Sequence, residues 1–153
     1  MQILYTHTNI FDIPITNNGS EAVCITTNGM IKKNGMAVMG AGIAKEANER
    51  YNLAGTLAEY LRQYGNHAYI LGKSNNGFYL ISFPTKNHWK DNSNINLIKQ
   101  SAYELITLCN YHNIKRCYLT PPGCSNGHLN WEYQVKPVLE NILDDRFIIV
   151  IRN

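Results

Sequence analysis

A glycine-rich stretch at residues 35–45 lies between a strand pattern and a helical pattern, and this order points to an α/β fold. The apolar run at residues 22–26 is typical of a buried strand, and apolar residues recur near the helical period after the glycines. Gly40 and Gly42 can adopt backbone conformations closed to other residues, and the following helix offers unpaired N–H groups and a partial positive charge. The stretch is therefore a candidate phosphate site, and a tight turn that needs glycine only for close packing is the alternative.

The glycine stretch departs from the two best-known nucleotide motifs. Lys45 stands where the third glycine of a dinucleotide-binding fingerprint would fall. No Gly-Lys-Ser/Thr sequence completes a P-loop. The sequence thus predicts an anion site of another kind.

Strand and helix patterns alternate along the whole chain. The strand patterns lie at residues 2–5, 22–26, 67–72, 78–83, 116–119 and 147–151. The helical patterns lie at residues 8–11, 43–51, 57–64, 95–109 and 131–143. Asn76-Gly77 is a turn expected to join the third and fourth strands as an antiparallel pair, and Pro137 is expected either to bend the last helix or to mark a new first turn. With no repeat or linker, the order predicts one domain, residues 1–153, with three α/β/α layers around a mixed sheet.

Composition excludes several classes of function. The four cysteines form no CxxC pair, which favours free thiols in a reducing compartment and argues against a zinc ribbon or a thioredoxin-like site. No apolar run approaches the roughly 20 residues of a membrane helix, so we expect a cytoplasmic monomer with no membrane partner. A formal charge of +3 suits a phosphate-bearing ligand but is too small for stable duplex binding. The ten tyrosines lack the basic interleaving of a single-strand binder.

Three polar loops follow predicted strand ends, at residues 27–42, 84–94 and 120–130. In an open α/β sheet the ligand crevice lies outside the carboxyl ends of the strands, so these loops should converge there. Two of the loops are rich in glycine. This arrangement predicts a diphosphate gripped from both sides, with the remaining loop facing the group beyond it.

Four side chains in these loops are candidates for chemistry. A lysine in a cleft, such as Lys86, can act as a base or nucleophile, and His88 can titrate near neutral pH; a solvated charge and a hydrogen-bonded loop residue are the alternatives. Asn28 can bind a ribose hydroxyl, although an Asn-Gly turn also explains it. Cys124 has no evident basic partner, which favours a small buried side chain over a nucleophile.

Four ordered motifs resemble those of macrodomains. They are Thr26-Thr-Asn-Gly29, Ala37-Val-Met-Gly-Ala-Gly-Ile-Ala44, Phe83-Pro-Thr-Lys-Asn-His-Trp89 and Pro122-Gly-Cys-Ser-Asn-Gly127 with Leu129-Asn-Trp131. Over nearly the whole chain, the sequence is similar to the branch that contains DNA ADP-ribosyl glycohydrolases of toxin–antitoxin systems and the terminal ADP-ribose protein glycohydrolase. The resemblance implies a three-layer α/β/α macrodomain fold with a mixed, mostly parallel central sheet of about six strands.

The resemblance also implies ADP-ribose as the ligand, with no cofactor or metal. It assigns Asn9 and Ile10 to adenine, Asn28 to the distal ribose, and Val38, Met39, Gly40, Ala41, Gly42, Ile43, Gly123, Cys124, Ser125, Asn126 and Gly127 to the diphosphate, with Thr85 also in the site. Lys86 occupies the position of the lysine that attacks or positions the anomeric carbon in that branch. His88 is expected to contribute less.

Departures from the branch bear on the reaction. The protein-directed glycohydrolase has an aspartate in the second glycine loop that helps to resolve the lysine adduct, and Gly127-His128 stand there in this chain. Ser125 and His128 also replace glycines that are common in DNA-directed relatives. The resemblance implies an ADP-ribosyl hydrolase that acts on modified protein, DNA or a phosphate derivative. The alternative is a non-catalytic reader of ADP-ribose or a related nucleotide signal.

Overall fold

The computed structural model describes residues 1–153 and contains one sheet of six strands. The strands are β1 (Gln2–Thr6), β2 (Glu21–Thr27), β3 (Ile70–Lys73), β4 (Tyr79–Pro84), β5 (Arg116–Leu119) and β6 (Phe147–Arg152). Their order across the sheet is β1-β6-β5-β2-β4-β3. All neighbours are parallel except β3, which pairs antiparallel with β4. The prediction of a mixed, mostly parallel sheet is confirmed.

Four helices flank the sheet, namely α1 (Gly42–Tyr51), α2 (Ala54–Tyr64), α3 (Ile95–Tyr111) and α4 (Lys136–Glu140). A short 3-10 turn, Ile10–Asp12, follows β1, and a π-helical turn, Trp131–Val135, precedes α4. The predicted break between α1 and α2 is confirmed at Asn52, which ends α1 with a φ of 56°. The longest helix, α3, begins after Asn94, whose side chain accepts two backbone N–H bonds. None of these helices has both the length and the apolar character needed to cross a bilayer.

Alternate residues of the central strand β2 face opposite helical layers. Val23 and Ile25 pack in the core that contains the residues of α1 and α2. Ala22 and Cys24 pack in the core that contains the residues of α3 and α4. All four are at most 2% exposed, as expected for a parallel strand covered on both faces. The three-layer arrangement predicted from the sequence is therefore confirmed.

Two predicted boundaries were wrong. The third strand begins at Ile70 instead of residue 67. Before it, the Ser82 N–H still donates to the Tyr69 carbonyl, but the Ser82 hydroxyl accepts from the Tyr69 N–H and donates to the His67 carbonyl, so the regular backbone pairing does not continue. The last helix is not continuous over residues 131–143 and ends at Glu140. Pro137 lies in the first turn of a short α4, which was one of the two roles predicted for it, because a proline needs no N–H there. A π-helical turn, Trp131–Val135, precedes α4.

A buried carboxylate ties the segment before β2 to the sheet. Glu21 is 1% exposed, and one of its oxygens accepts bonds from the N–H groups of Ile15 and Thr16 at 2.8 and 2.9 Å. The other oxygen accepts a 2.9 Å bond from the Tyr118 hydroxyl. Burial raises the pKa of Glu21, but the bonds from Thr16, Tyr118 and Ile15 outweigh it and hold the pKa below its ordinary value. The carboxylate is therefore ionised at neutral pH inside the fold.

Candidate functional site

A cavity of about 1300 Å³ opens at the carboxyl ends of four parallel strands. Thr27 ends β2, Thr85 follows β4, Thr120 follows β5 and Arg152 ends β6, and all four residues line the cavity. Because parallel strands end at the same edge of a sheet, the loops that leave them meet there. All three of the predicted polar loops contribute to the cavity wall.

Most of the site residues predicted from the sequence line this one cavity. They are Asn28, Val38, Met39, Gly40, Ala41, Gly42, Ile43, Thr85, Lys86, Gly123, Cys124, Ser125, Asn126 and Gly127. Three of the predicted residues, Asn9, Ile10 and His88, do not line it. The topology explains the convergence, since residues almost 100 positions apart leave neighbouring strands at the same edge.

The first glycine loop presents the N-terminus of α1 to the cavity. Ala41 precedes the helix in an extended conformation, no side chain caps the helix, and its first turn has no acidic residue. Gly42 has a φ of +57°, which glycine adopts without the strain of a side chain. The first N–H groups of a helix lack partners within it and carry a partial positive charge. This end of α1 is therefore free to bind an anion.

The second glycine loop is packed tightly onto the start of α3. Gly123 has a φ of +77°, and a Cβ at this position would lie 2.9 Å from both Ile98 Cδ1 and Ser93 Cβ. The carbonyl of Gly127 accepts a 3.0 Å bond from the Ser93 N–H. These contacts require glycine and hold the loop against the helix. The backbone of the loop is thereby fixed where it faces the cavity.

Lys86 is half-buried, and its ammonium group makes one hydrogen bond, a 3.2 Å bond to the Asp91 carbonyl. It forms no ion pair with a carboxylate. The amine therefore has no strong partner in the protein. It is available to a group that enters the cavity.

Hydrogen bonds fix the backbone of the loop that carries Lys86. The Asn66 side chain donates to the Lys86 carbonyl at 3.1 Å and to the Asn87 side-chain oxygen at 3.0 Å. The Gly29 N–H donates to the Asn87 carbonyl at 3.0 Å. The loop is thus tied to α2 by Asn66 and to the end of β2 by Gly29. It presents its side chains from a rigid support.

Asn28 forms a local turn, as the alternative from the sequence predicted. Its Oδ1 accepts a 3.0 Å bond from the Met30 N–H, which forms a local turn. Its Nδ2 donates to the Val38 carbonyl at 3.2 Å and so links the end of β2 to the first glycine loop. An amide nitrogen has two hydrogens. The second one remains for a ligand, since Asn28 lines the cavity.

Asn9 and Ile10 line a smaller cavity of about 300 Å³, which shares wall residues such as Ile43 and Arg152 with the large one. The Asn9 amide is engaged at both ends. Its oxygen accepts from the Phe11 N–H at 3.0 Å, and its nitrogen donates to Glu46 at 2.6 Å. Glu46 also lines the small cavity. Glu46 was not predicted from the sequence, because a glutamate within a helix resembles a solvated charge.

His88 bonds within its own loop. Its Nδ1 accepts a 3.1 Å bond from the Lys90 N–H, and its ring does not line the cavity. The alternative interpretation from the sequence, a hydrogen-bonded loop residue, therefore describes its place in this structure.

Cys124 is a neutral thiol. Burial raises its pKa to about 11, and its Sγ donates to the Pro122 carbonyl at 3.3 Å. A nucleophilic cysteine needs the opposite, a lowered pKa beside a basic partner. The preference for a small side chain over a nucleophile agrees with this environment.

The charges that line the large cavity are mostly positive. Four basic side chains, Lys32, Lys86, Lys90 and Arg152, and one carboxylate, Asp91, lie in its wall. Over the whole chain the balance is 14 basic to 11 acidic residues, so basic residues are enriched at the cavity. Only Lys86 was predicted from the sequence, because the others belong to no motif. Such a lining favours an anionic ligand.

Comparisons with known proteins identify relatives. No family model matches the chain. DNA ADP-ribosyl glycohydrolases of Mycobacterium bovis (strain BCG / Pasteur 1173P2) and Mycobacterium tuberculosis (strain ATCC 25618 / H37Rv) are each 31% identical to it over 105 residues. The alignment covers 65% of this chain, and the chain spans 30% of the length of these curated relatives.

Solved structures share the fold. The macrodomain of Mycobacterium tuberculosis DarG has a TM-score of 0.71 at 25% identity, covering 96% of both chains. The macrodomain of Thermus aquaticus DarG has a TM-score of 0.76 at 20% identity, covering 99% of both chains. Thermosipho africanus DarTG in complex with ADP-ribose has a TM-score of 0.71 at 20% identity, covering 89% of this chain and 39% of that one.

Proposed function

We propose that this chain, which is a macrodomain, binds ADP-ribose in its large cavity and hydrolyses the bond between the distal ribose and a modified macromolecule. One observation carries the proposal. Two glycine loops with available backbone N–H groups line the same cavity as a lysine that has no carboxylate partner. Relatives that are DNA ADP-ribosyl glycohydrolases, and a fold neighbour in complex with ADP-ribose, support the choice of ligand and reaction.

The diphosphate would lie between the two glycine loops. The uncapped N-terminus of α1 supplies N–H groups from one side, and the loop at residues 123–127 supplies them from the other. The basic lining of the cavity offsets the negative charge of the phosphates. Adenine would then extend toward Asn9 and Glu46, and the distal ribose toward Asn28 and Lys86.

The reaction would take place at the anomeric carbon of the distal ribose, C1″. In our proposal the neutral Lys86 amine attacks C1″, and the bond from C1″ to the leaving atom breaks as the new C–N bond forms. The proton released from the amine passes to the leaving group. Water then attacks C1″, which gains a hydroxyl group, and the lysine amine is restored. Asn28 would hold the ribose in place during these steps.

The second step needs a group that accepts a proton from water. The second glycine loop contains no acid at residues 127–128. The one acidic residue in the cavity wall is Asp91, on the same loop as Lys86. We therefore assign Asp91 as the base that takes a proton from the attacking water and passes it to the departing lysine amine as the C–N bond breaks.

The alternative function is a reader that binds ADP-ribose without turnover. The absence of an acid in the second glycine loop favours it. Both functions require the same binding loops, so binding alone does not separate them. Turnover that depends on Lys86 separates the hydrolase from the reader.

Calorimetry with free ADP-ribose tests the binding site. Gly42→Glu places a carboxylate at the start of α1, where the phosphates would lie, and should remove several kcal/mol of affinity, since each charge-assisted bond contributes about 1.5–3 kcal/mol. Lys99→Ala is the matched control, because Lys99 is exposed on α3 and lies outside the cavity. Absence of any heat from the unmodified chain at millimolar ligand would refute the proposed ligand.

A panel of substrates tests the reaction. Thymidine-linked ADP-ribosyl DNA, carboxylate-linked ADP-ribosyl protein and ADP-ribose-1″-phosphate are each incubated with the unmodified chain and with Lys86→Ala. We expect free ADP-ribose from at least one substrate with the unmodified chain alone. Tight binding without release from any substrate would establish the reader function. Equal release by both proteins would place the reaction elsewhere.

A further inference from the structure

Trp89 is a half-exposed aromatic residue in the wall of the large cavity. Its exposed fraction is 50%, and of the large apolar side chains that the structure exposes it is the one that lines this cavity. An exposed indole at the edge of a polar cleft leaves a wide apolar surface in contact with water. Such a surface is typical of a contact for a flat ligand group.

The surroundings of Trp89 favour a flat and electron-rich or anionic partner. Lys90 Nζ lies 5.2 Å from the centre of the indole ring, and the His88 ring lies 6.1 Å away at an angle of 23°. Lys32 also lines the cavity. The only acid in this wall is Asp91. An aromatic ring with cations next to it is the pair of features by which proteins hold a nucleobase and its neighbouring phosphate.

The loop holds Trp89 at a fixed place relative to Lys86. The two residues are three positions apart, and the backbone around them is tied by the bonds from Asn66 and Gly29. A further bond joins the Asp91 N–H to the His88 carbonyl at 3.0 Å and closes a turn around the indole. Little backbone freedom is left to lose when a ligand stacks on the ring.

We propose that Trp89 determines which leaving group this chain accepts, by stacking on the nucleobase that carries the ADP-ribose. This inference rests on the proposed function, in which the leaving group is attached to C1″ beside Lys86. A base joined to C1″ is planar and has a face for the indole, whereas the carboxylate of an aspartate or glutamate has no aromatic face. The chain should therefore select nucleobase-linked ADP-ribose over the carboxylate-linked form.

The recognition should concern one base and not a long strand. The chain has a small formal charge of +3, and beyond Trp89 the cavity wall offers no second exposed tryptophan, tyrosine or phenylalanine. A strand-tracking groove needs several such residues in a row. We therefore expect an ADP-ribosylated oligonucleotide of three bases to bind within a few-fold of one of fifteen bases.

Tryptophan fluorescence tests the contact directly. The chain has two tryptophans, so Trp131→Phe leaves Trp89 as the sole indole. The Trp131 N–H is buried without a hydrogen-bond partner, and its removal leaves no acceptor unpaired. In the Lys86→Ala, Trp131→Phe double variant, which should not turn over, an oligonucleotide carrying ADP-ribose on thymine should quench the emission strongly. Free ADP-ribose should leave most of the emission in place.

Affinity measurements on Trp89 variants test the selectivity. In the Lys86→Ala background, Trp89→Ala should weaken binding of the thymine-linked oligonucleotide by about 5-fold to 150-fold, the range for loss of one base–aromatic stack. Its affinity for free ADP-ribose should stay within about twofold. Trp89→Phe should retain most of the preference. Tyr133→Ala is the matched control, since Tyr133 is 84% exposed and lies outside the cavity.

The outcomes separate this inference from the proposed function. Equal losses for the oligonucleotide and for free ADP-ribose would show that Trp89 serves the binding of ADP-ribose itself and would overturn the inference. Unchanged preference in Trp89→Ala would overturn it as well, with ADP-ribose binding left intact. If the unmodified chain bound neither ligand, the proposed function and this inference would both fail.

Discussion

Lys86 combines two properties that are useful in a reacting group, since it has no carboxylate partner and it sits on a rigid loop. If the neutral amine attacks C1″, Lys86→Ala should lower the rate about 10²-fold or more. Lys86→Arg should be as slow, because a guanidinium keeps its charge but cannot lose its proton. Activity of the unmodified chain should rise with pH. Single-turnover kinetics with the preferred substrate measures these rates, and an active Lys86→Arg variant would indicate a purely electrostatic role.

The assignment of Asp91 as the base for water can be tested separately from the role of Lys86. Asp91→Asn keeps the backbone carbonyl that receives the Lys86 bond and removes only the carboxylate. We expect the overall rate to fall about 10²-fold or more, with ADP-ribose affinity within a few-fold of the unmodified chain. Rapid-quench kinetics should show the first turnover less affected than later ones, because the adduct would form and then accumulate. An unchanged steady-state rate would exclude Asp91 as the base.

Individual residues could be predicted only where a motif or a strand end marked them. Asn28 and Lys86 follow predicted strands in loops with recognisable motifs, and both line the cavity. Asp91 and Arg152 line the same wall, but they belong to no motif, and single residues without a repeated spacing carry no signal of their own. Their place depends on how the loops fold.

At the scale of elements, the two glycine loops differ in what they tolerate. In Gly123→Ala the new Cβ would lie 2.9 Å from side-chain atoms of Ile98 and Ser93, at a residue whose φ is positive. This substitution should destabilise the fold by about 2–4 kcal/mol. Gly40→Ala meets no atom within 4 Å and should change stability by less than about 0.5 kcal/mol. Urea unfolding of both variants provides the comparison. Equal losses would mean that the second loop moves away from α3 at little cost.

The elements themselves were largely predictable because apolar periodicity determines which face is buried. All six strands and the break between α1 and α2 were predicted. The exceptions have specific causes. The Ser82 hydroxyl accepts a bond from the Tyr69 N–H before Ile70, and a π-helical turn precedes α4. Neither arrangement has a periodic pattern, so neither was visible in the sequence, although the break at Pro137 was.

For the whole molecule, the free energy of unfolding depends on pH through the buried carboxylate of Glu21. Its pKa lies below the ordinary value of 4.5, so its contribution is complete above that pH and is lost as the pH falls through the lower folded-state value. Glu21→Gln should lose about 1–3 kcal/mol of unfolding free energy at pH 7. The difference between the two proteins should shrink as the pH falls below 4.5 and through the lower folded-state pKa. Thermal unfolding across this pH range measures it, and a constant difference would show that the charge of Glu21 is not involved.

The parallel pairing of β1 with β6 has a practical consequence for how the chain can be joined to other polypeptides. Residue 2 pairs with residue 148 and residue 6 with residue 152, so the two strands start at the same edge of the sheet and finish at the opposite one. Arg152, at the finish of β6, is part of the cavity wall, while the amino group of Met1 contacts Leu143 and Asp145 just before the start of β6. A purification tag or fluorescent protein added after Asn153 would therefore emerge at the mouth of the cavity, whereas one placed before Met1 would emerge at the far edge and leave the mouth open to large substrates.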